Sequence, residues 1–261
     1  NAFVYLKKSG RKQEKREIAR LAIRDRQLDG TDKTSPLCHF PNTHRATNRL
    51  PHADFRACEL SIYCFSPEEK ALDQELSEFI LHLDQFLYDR FDPETFFPLF
   101  NRAYQSDMAP WQVAAPVKGV AQHFVEAAQS LLQELGYHRV DAVPSWYNVG
   151  QFFIERLGYS VTYGEHEAAY NALNFALKSL EARLGTTLST REKAWVVALQ
   201  SIPEAYIPRA LRLGVKWVNS PTDSSYVMRV HKDLNPFSWD WQEPQLPGNL
   251  ALNGTVERNC A

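Results

Sequence analysis

Glycine is scarce in this chain, with 11 in 261 residues. A backbone approaches a phosphate closely where side chains are missing, so few segments could cradle a nucleotide. No Gly-x-Gly-x-x-Gly, phosphate-loop Gly-Lys-Ser/Thr, Gly-x-Ser-x-Gly or His-Glu-x-x-His occurs. No catalytic residue and no cofactor can therefore be assigned by motif, and the reading leans away from an enzyme. Four cysteines are too few for a disulfide framework. No stretch of about 18 apolar residues is present, which argues against a membrane partner. The first residues run from apolar (Ala2 to Leu6) to basic (Lys7, Lys8), the reverse of a secretory signal. The chain does not open on Met, which reads as processing or as a piece of a longer protein.

What is present is a charge split. Residues 1–26 hold nine basic and three acidic side chains, and the rest hold 20 basic and 28 acidic, within a net charge of −2. A basic arm on an acidic body points to a polyanion or an acidic partner surface. The candidate nucleic-acid contacts are Lys7, Lys8, Arg11, Lys12, Lys15, Arg16, Arg20 and Arg24. Arg45 and Arg49, in a loop-like stretch, extend the set. The spacing of Ile18, Leu21, Ala22 and Leu28 predicts an amphipathic helix over residues 11–28. Such a helix buries one face, so subunit docking and phosphate contact are compatible roles for it.

Beyond the arm, helices dominate the expectation. Ser66-Pro67 opens one that should run to about residue 91, and Asp92-Pro93-Glu94 opens the next. Residues 117–135, 146–157 and 165–184 read as helices closed by Gly136, Gly158 and Gly185. Ser189 and Glu192 have capping-box spacing, and a last helix is expected near 203–213. The best strand is 58–65, where Cys58, Leu60, Ile62 and Cys64 alternate onto one face. Buried free thiols there favour a reducing, intracellular compartment. The fold class expected is mainly α. A helical body over 29–216 follows the basic arm of 1–28 and carries an extended Pro- and aromatic-rich tail over 217–261.

Two constellations could carry chemistry. Cys38, His39, His44, His52, Cys58 and Cys64 could serve a metal, but they lack the Cys-x-x-Cys knuckle that nucleates structural zinc sites. No metal site is assigned, and a zinc-stabilised regulator stays a third option. Trp146, Tyr147, Tyr163, Glu165 and His166 could line a polar-aromatic ligand cleft within 146–170, with Glu165 and His166 as an acid/base pair. Residues adjacent on a helix point apart, which weighs against that pair. The leading expectation is a homo-oligomeric structural protein that contacts RNA or DNA, of the coat-protein or nucleoprotein kind. Residues 3–28 and 217–241 would mediate subunit contacts. The alternative is a small-molecule enzyme using the 146–170 cleft.

Overall fold

The computed structural model describes residues 2–7, 15–25, 56–64, 72–112, 119–217 and 228–236. Among the described residues the chain is helix-rich and also contains a mixed sheet of six strands. These are β1 (Ala2–Lys7), β2 (Lys15–Asp25), β3 (Ala57–Cys64), β4 (Arg139–Ala142), β5 (Ser160–Val161) and β6 (Val230–Asp233). The order across the sheet is β1-β2-β3-β4-β6-β5. Among the described strands only the β3–β4 pair is parallel.

The helices are α1 (Gln74–Leu81), α2 (Pro93–Gln105), α3 (Val120–Glu134), α4 (Tyr147–Gln151), α5 (Gly164–Leu184) and α6 (Thr190–Leu199). Local chemistry sets many of their ends. Asp73 caps α1, and Asp92 with Pro93 opens α2. Ser189 and Glu192 form the expected capping box on α6. Gly185 closes α5 with φ of 66°. Wide π-helical turns follow α1 at Gln85–Asp89 and α4 at Phe152–Arg156.

Two apolar cores organise these elements. In the first, α3 and α5 cover one face of the sheet. Spacing along α5 puts Tyr170, Leu173, Leu177 and Leu180 on its buried stripe, against Cys58, Leu60, Val140 and Val230 of the strands. Each such leucine contributes about 1.5–3 kcal/mol by leaving water. The second core is helical and aromatic. Phe79, Phe96, Phe100 and Trp195 meet there, and the Trp195 indole donates to Met108 O at 2.7 Å. Neighbours in sequence serve different cores: Trp146 packs in the helical one and Tyr147 in the sheet one. Likewise α6 gives Trp195 to one and Val196 and Val197 to the other.

Several expectations need correction. The basic segment is not a helix: Lys15–Asp25 is a strand paired to both β1 and β3. The spacing of Ile18, Leu21 and Ala22 fits a helix, but Leu21 and Ile23 also share strand parity. They stand opposite Ile62 and Leu60, so burial against β3 decides. The strand near 58–65 is real, as Ala57–Cys64, but it is one of six. The last helix is replaced by two 3-10 turns, Glu204–Tyr206 and Arg209–Leu211, because Pro208 between them has no N–H to donate. The tail contributes β6 to the sheet. Ser66 and the tail aromatics Phe237, Trp239 and Trp241 lie outside the described residues.

Candidate functional site

The two faces of the sheet differ sharply. Leu21, Ile23, Cys58, Leu60, Ile62, Val140, Ala142 and Val230 make one face apolar, and it faces the first core. The opposite face carries a transverse row set by strand register. Arg24 stands opposite Glu59, Glu59 beside Asp141, Asp141 opposite His231, and His231 opposite Ser160. The row crosses β2, β3, β4, β6 and β5 in turn.

Buried charge concentrates on this face. Glu59, Asp141 and Arg229 are 4%, 5% and 3% exposed. Charge removed from water is costly unless it is paired, so such groups mark either a structural network or a working site. Arg139 Nε donates to Asp141 Oδ1 at 3.0 Å, and its Nη2 reaches Thr162 Oγ1 at 3.5 Å. Thr162 Oγ1 lies 3.2 Å from His231 Nδ1, and Thr162 N donates to Arg229 O at 2.9 Å. Burial, then the Arg139 guanidinium, hold the His231 pKa below its ordinary value, with Asp233 acting in the opposite sense. A neutral imidazole in the tautomer protonated at Nε2 accepts the Thr162 proton. The arrangement can thus poise a hydroxyl between a base and a cation.

The residues expected to line one cleft separate into three places. Trp146 packs edge-on against Trp111, with ring centroids 5.6 Å apart. Tyr147 points into the sheet core and donates to Asn174 Oδ1 at 2.8 Å. Tyr163 and His166 do come together, in a T-shaped contact at 5.2 Å, where α5 begins. Glu165 is exposed while His166 is buried. Burial depresses the His166 pKa, Glu165 opposes that shift, and Arg229 adds to it. Within 146–170 polar atoms are also stranded: Trp146 Nε1, Asn148 Oδ1, Gln151 Oε1, His166 Nδ1 and Tyr170 Oη are buried without a hydrogen bond. Tyr170 Oη lies beside Asn174 and Glu155 without hydrogen-bond geometry to either. The nearby π-helical turn, which holds Glu155, is a distortion that recurs at functional sites.

The basic set forms a third feature. Lys7, Lys15, Arg16, Arg20 and Arg24 fall on β1 and β2, whereas Lys8, Arg11, Lys12, Arg45 and Arg49 lie outside the described residues. β3 pairs with β2 from Ala19 to Asp25. Among the described residues, Lys15 to Glu17 therefore pair with β1 alone, so β1 and β2 run on past β3 as a two-stranded ribbon. Its register sets Lys7 opposite Lys15 and Leu6 opposite Arg16. A register shift between Val4 and Tyr5 marks where the ribbon leaves the wider sheet.

Of the metal constellation, Cys58 is buried among apolar neighbours, and Cys38, His39, His44 and His52 lie outside the described residues. Among the described residues no three His, Cys, Asp or Glu side chains converge as metal ligands. No described helix is long and apolar enough to cross a membrane. Glu59, Arg139, Asp141, Thr162 and His231 were not legible as a site in the sequence, since only strand pairing unites them. The chain matches no family model, no curated protein and no solved structure.

Proposed function

We propose that this chain is a self-associating, nucleic-acid-contacting structural protein, with the β1–β2 ribbon as its phosphate-binding element. One observation carries the reading: the ribbon register sets Lys7 against Lys15 at the end that extends past β3. Like charges directly opposite destabilise a strand pair, and a bound polyanion would relieve that repulsion. A two-stranded ribbon also has the width to enter a nucleic-acid groove. The connecting residues 8–14 add Lys8, Arg11 and Lys12 to the same end of the sequence.

Binding of labelled 20-mer RNA and DNA across a salt series tests this. Each neutralised phosphate contributes about 0.7–0.9 to the slope of log affinity against log salt. The triple substitution Lys7→Glu, Lys15→Glu and Arg16→Glu should cut that slope by about 2–3. An unchanged slope, or no binding at low salt, would sink the proposal.

A second reading, a small-molecule site, has a different support. It rests on the stranded polar atoms of residues 146–170 and on the Thr162–His231 contact beside them. Native mass spectrometry of the purified chain would then detect a stoichiometric small adduct, absent from the Gln151→Leu/Tyr170→Phe variant. A bare mass for the unmodified chain removes the support.

A further inference from the structure

Helix α5 is apolar on two opposite faces. Its inner stripe, Tyr170, Leu173, Leu177 and Leu180, is buried in the first core. At about 100° per residue, Phe175 lies opposite that stripe. Ala168 and Ala182 fall about 20° to either side of Phe175, and Ala172 about 60° round. Phe175 is 74% exposed, and the three alanines are exposed with it. A lone apolar side chain at a surface is ordinary, but a helix with apolar residues on both faces is of the kind buried on both. Charge keeps to the flanks of the outer face. Glu165 and Arg183 lie about 80° round from Phe175 on one side, with Lys178 and Glu167 about 60° and 80° round on the other.

We infer that α5 pairs antiparallel with α5 of a second copy of this chain, across a two-fold axis level with Asn174, the midpoint of Gly164–Leu184. The inference rests on the self-association reading above and names its helix and symmetry. What selects a second copy is the charge register. The two-fold reverses the helix direction and keeps each flank on its own side. Positions 165 and 183 are equally far from 174, so Glu165 of each chain comes level with the partner's Arg183, on the same flank. Both side chains are exposed, and Arg183 also donates to Ala210 O at 3.3 Å and Arg212 O at 3.5 Å. On the other flank Glu167 comes within about 4.5 Å of the partner's Lys178 along the axis, at 1.5 Å per residue. Each Phe175 sits within about 1.5 Å of the level of the partner's Ala172, whose small side chain leaves the ring room. The helix dipoles oppose, which is their favourable sense. A parallel pair would instead set Glu165 level with the partner's Glu165 and Arg183 level with the partner's Arg183. A two-fold contact of this kind closes at two chains.

One helix pair falls at or below the roughly 1,200 Å² of a stable standard interface, so the dimer should be concentration-dependent. Light scattering after size exclusion, over about a hundredfold range of concentration, should show the mass move from one chain to two. Phe175→Lys sets two charges near the axis and should hold the mass at one chain. Arg183→Glu sets like charges together twice and should weaken the dimer about tenfold. The swap Glu165→Arg/Arg183→Glu restores opposite charges and should return the dimer to near its original strength. Circular dichroism on each variant shows whether the fold survives. A dimer that a folded Phe175→Lys retains overturns the α5 pairing while leaving self-association standing. A chain that is monomeric throughout overturns both. A swap variant as weak as Arg183→Glu overturns the antiparallel register and its two-fold axis.

Discussion

Glu59 and Asp141 stand side by side on the parallel strands β3 and β4, and both are buried. Two carboxylates at adjacent register positions tend to repel, so the cations of the same face are needed to hold them there. Arg139 does this for Asp141 at 3.0 Å. The two side chains are 16% and 7% exposed, so water screens the pair little.

Removing one partner of that pair should be costly. Asp141→Asn leaves the Arg139 guanidinium without its carboxylate, and breaking a buried pair costs about 3–5 kcal/mol. Urea unfolding would show the midpoint fall while the slope stays constant. A loss under about 0.5 kcal/mol would mean that Arg139 finds another anion.

His166 and His231 both have depressed pKa values in the folded chain, chiefly through burial. The unfolded chain, with histidine near 6.5, then binds more protons than the native one at mildly acidic pH. Stability should be flat above about pH 7.5 and decline as pH falls below about 6.5. His231→Gln should flatten part of that decline. Unfolding midpoints from pH 5 to pH 8 supply the check, and a stability that rises on acidification contradicts the assignment.

Gly150 lies under the Trp217 indole. A Cβ added there would sit 2.7 Å from Trp217 Cη2 and 3.3 Å from Cζ2. The indole cannot easily retreat, since it donates to Ser145 O at 3.2 Å and packs on Tyr147 and Tyr170. Alanine gains up to about 1 kcal/mol of helix propensity over glycine. Overpacking costs about 1–3 kcal/mol, so Gly150→Ala should be a net loss. Trp217→Phe in the same chain should recover part of that loss, and a double-mutant cycle measures the coupling.

Tyr170→Phe should go the other way. Its hydroxyl is buried without a hydrogen bond, so removing it sheds an unpaid desolvation cost of about 1 kcal/mol or more. A stability gain in thermal or urea unfolding is expected. A loss would show that the hydroxyl is held by a bound molecule or a solvent bridge.

Local signals were readable, and pairing was not. Asp92-Pro93, the Ser189–Glu192 box and Gly185 each act within a turn or two of the backbone, so the ends they set are where the sequence places them. The segment of β2 fits a helix through Ile18, Leu21 and Ala22 and a strand through Leu21 and Ile23, and the deciding partner is β3, far along the chain. β6 is four residues in a stretch read as tail, visible as a strand only once β4 and β5 are beside it. The same logic hid the polar row: Glu59, Asp141 and His231 come from three distant segments, and each alone looks like an ordinary polar strand residue. Tyr163 and His166 were found because they share the start of α5. Trp146 and Tyr147 were grouped with them by proximity in sequence, although the chain turns them into opposite cores.

The position of β6 also dictates an order of events. Val230–Asp233 is the last described strand, yet it lies inside the sheet, between β4 and β5. β5 forms its ladder with β6 alone among the described strands, so it has no described partner until that late segment arrives. On a ribosome, α3, α5 and β1–β4 can assemble while β6 is still being made, but the sheet cannot close. A nascent chain halted before residue 230 would leave the β6 side of β4 without its strand, so closure of the described sheet waits on the synthesis of Val230–Asp233.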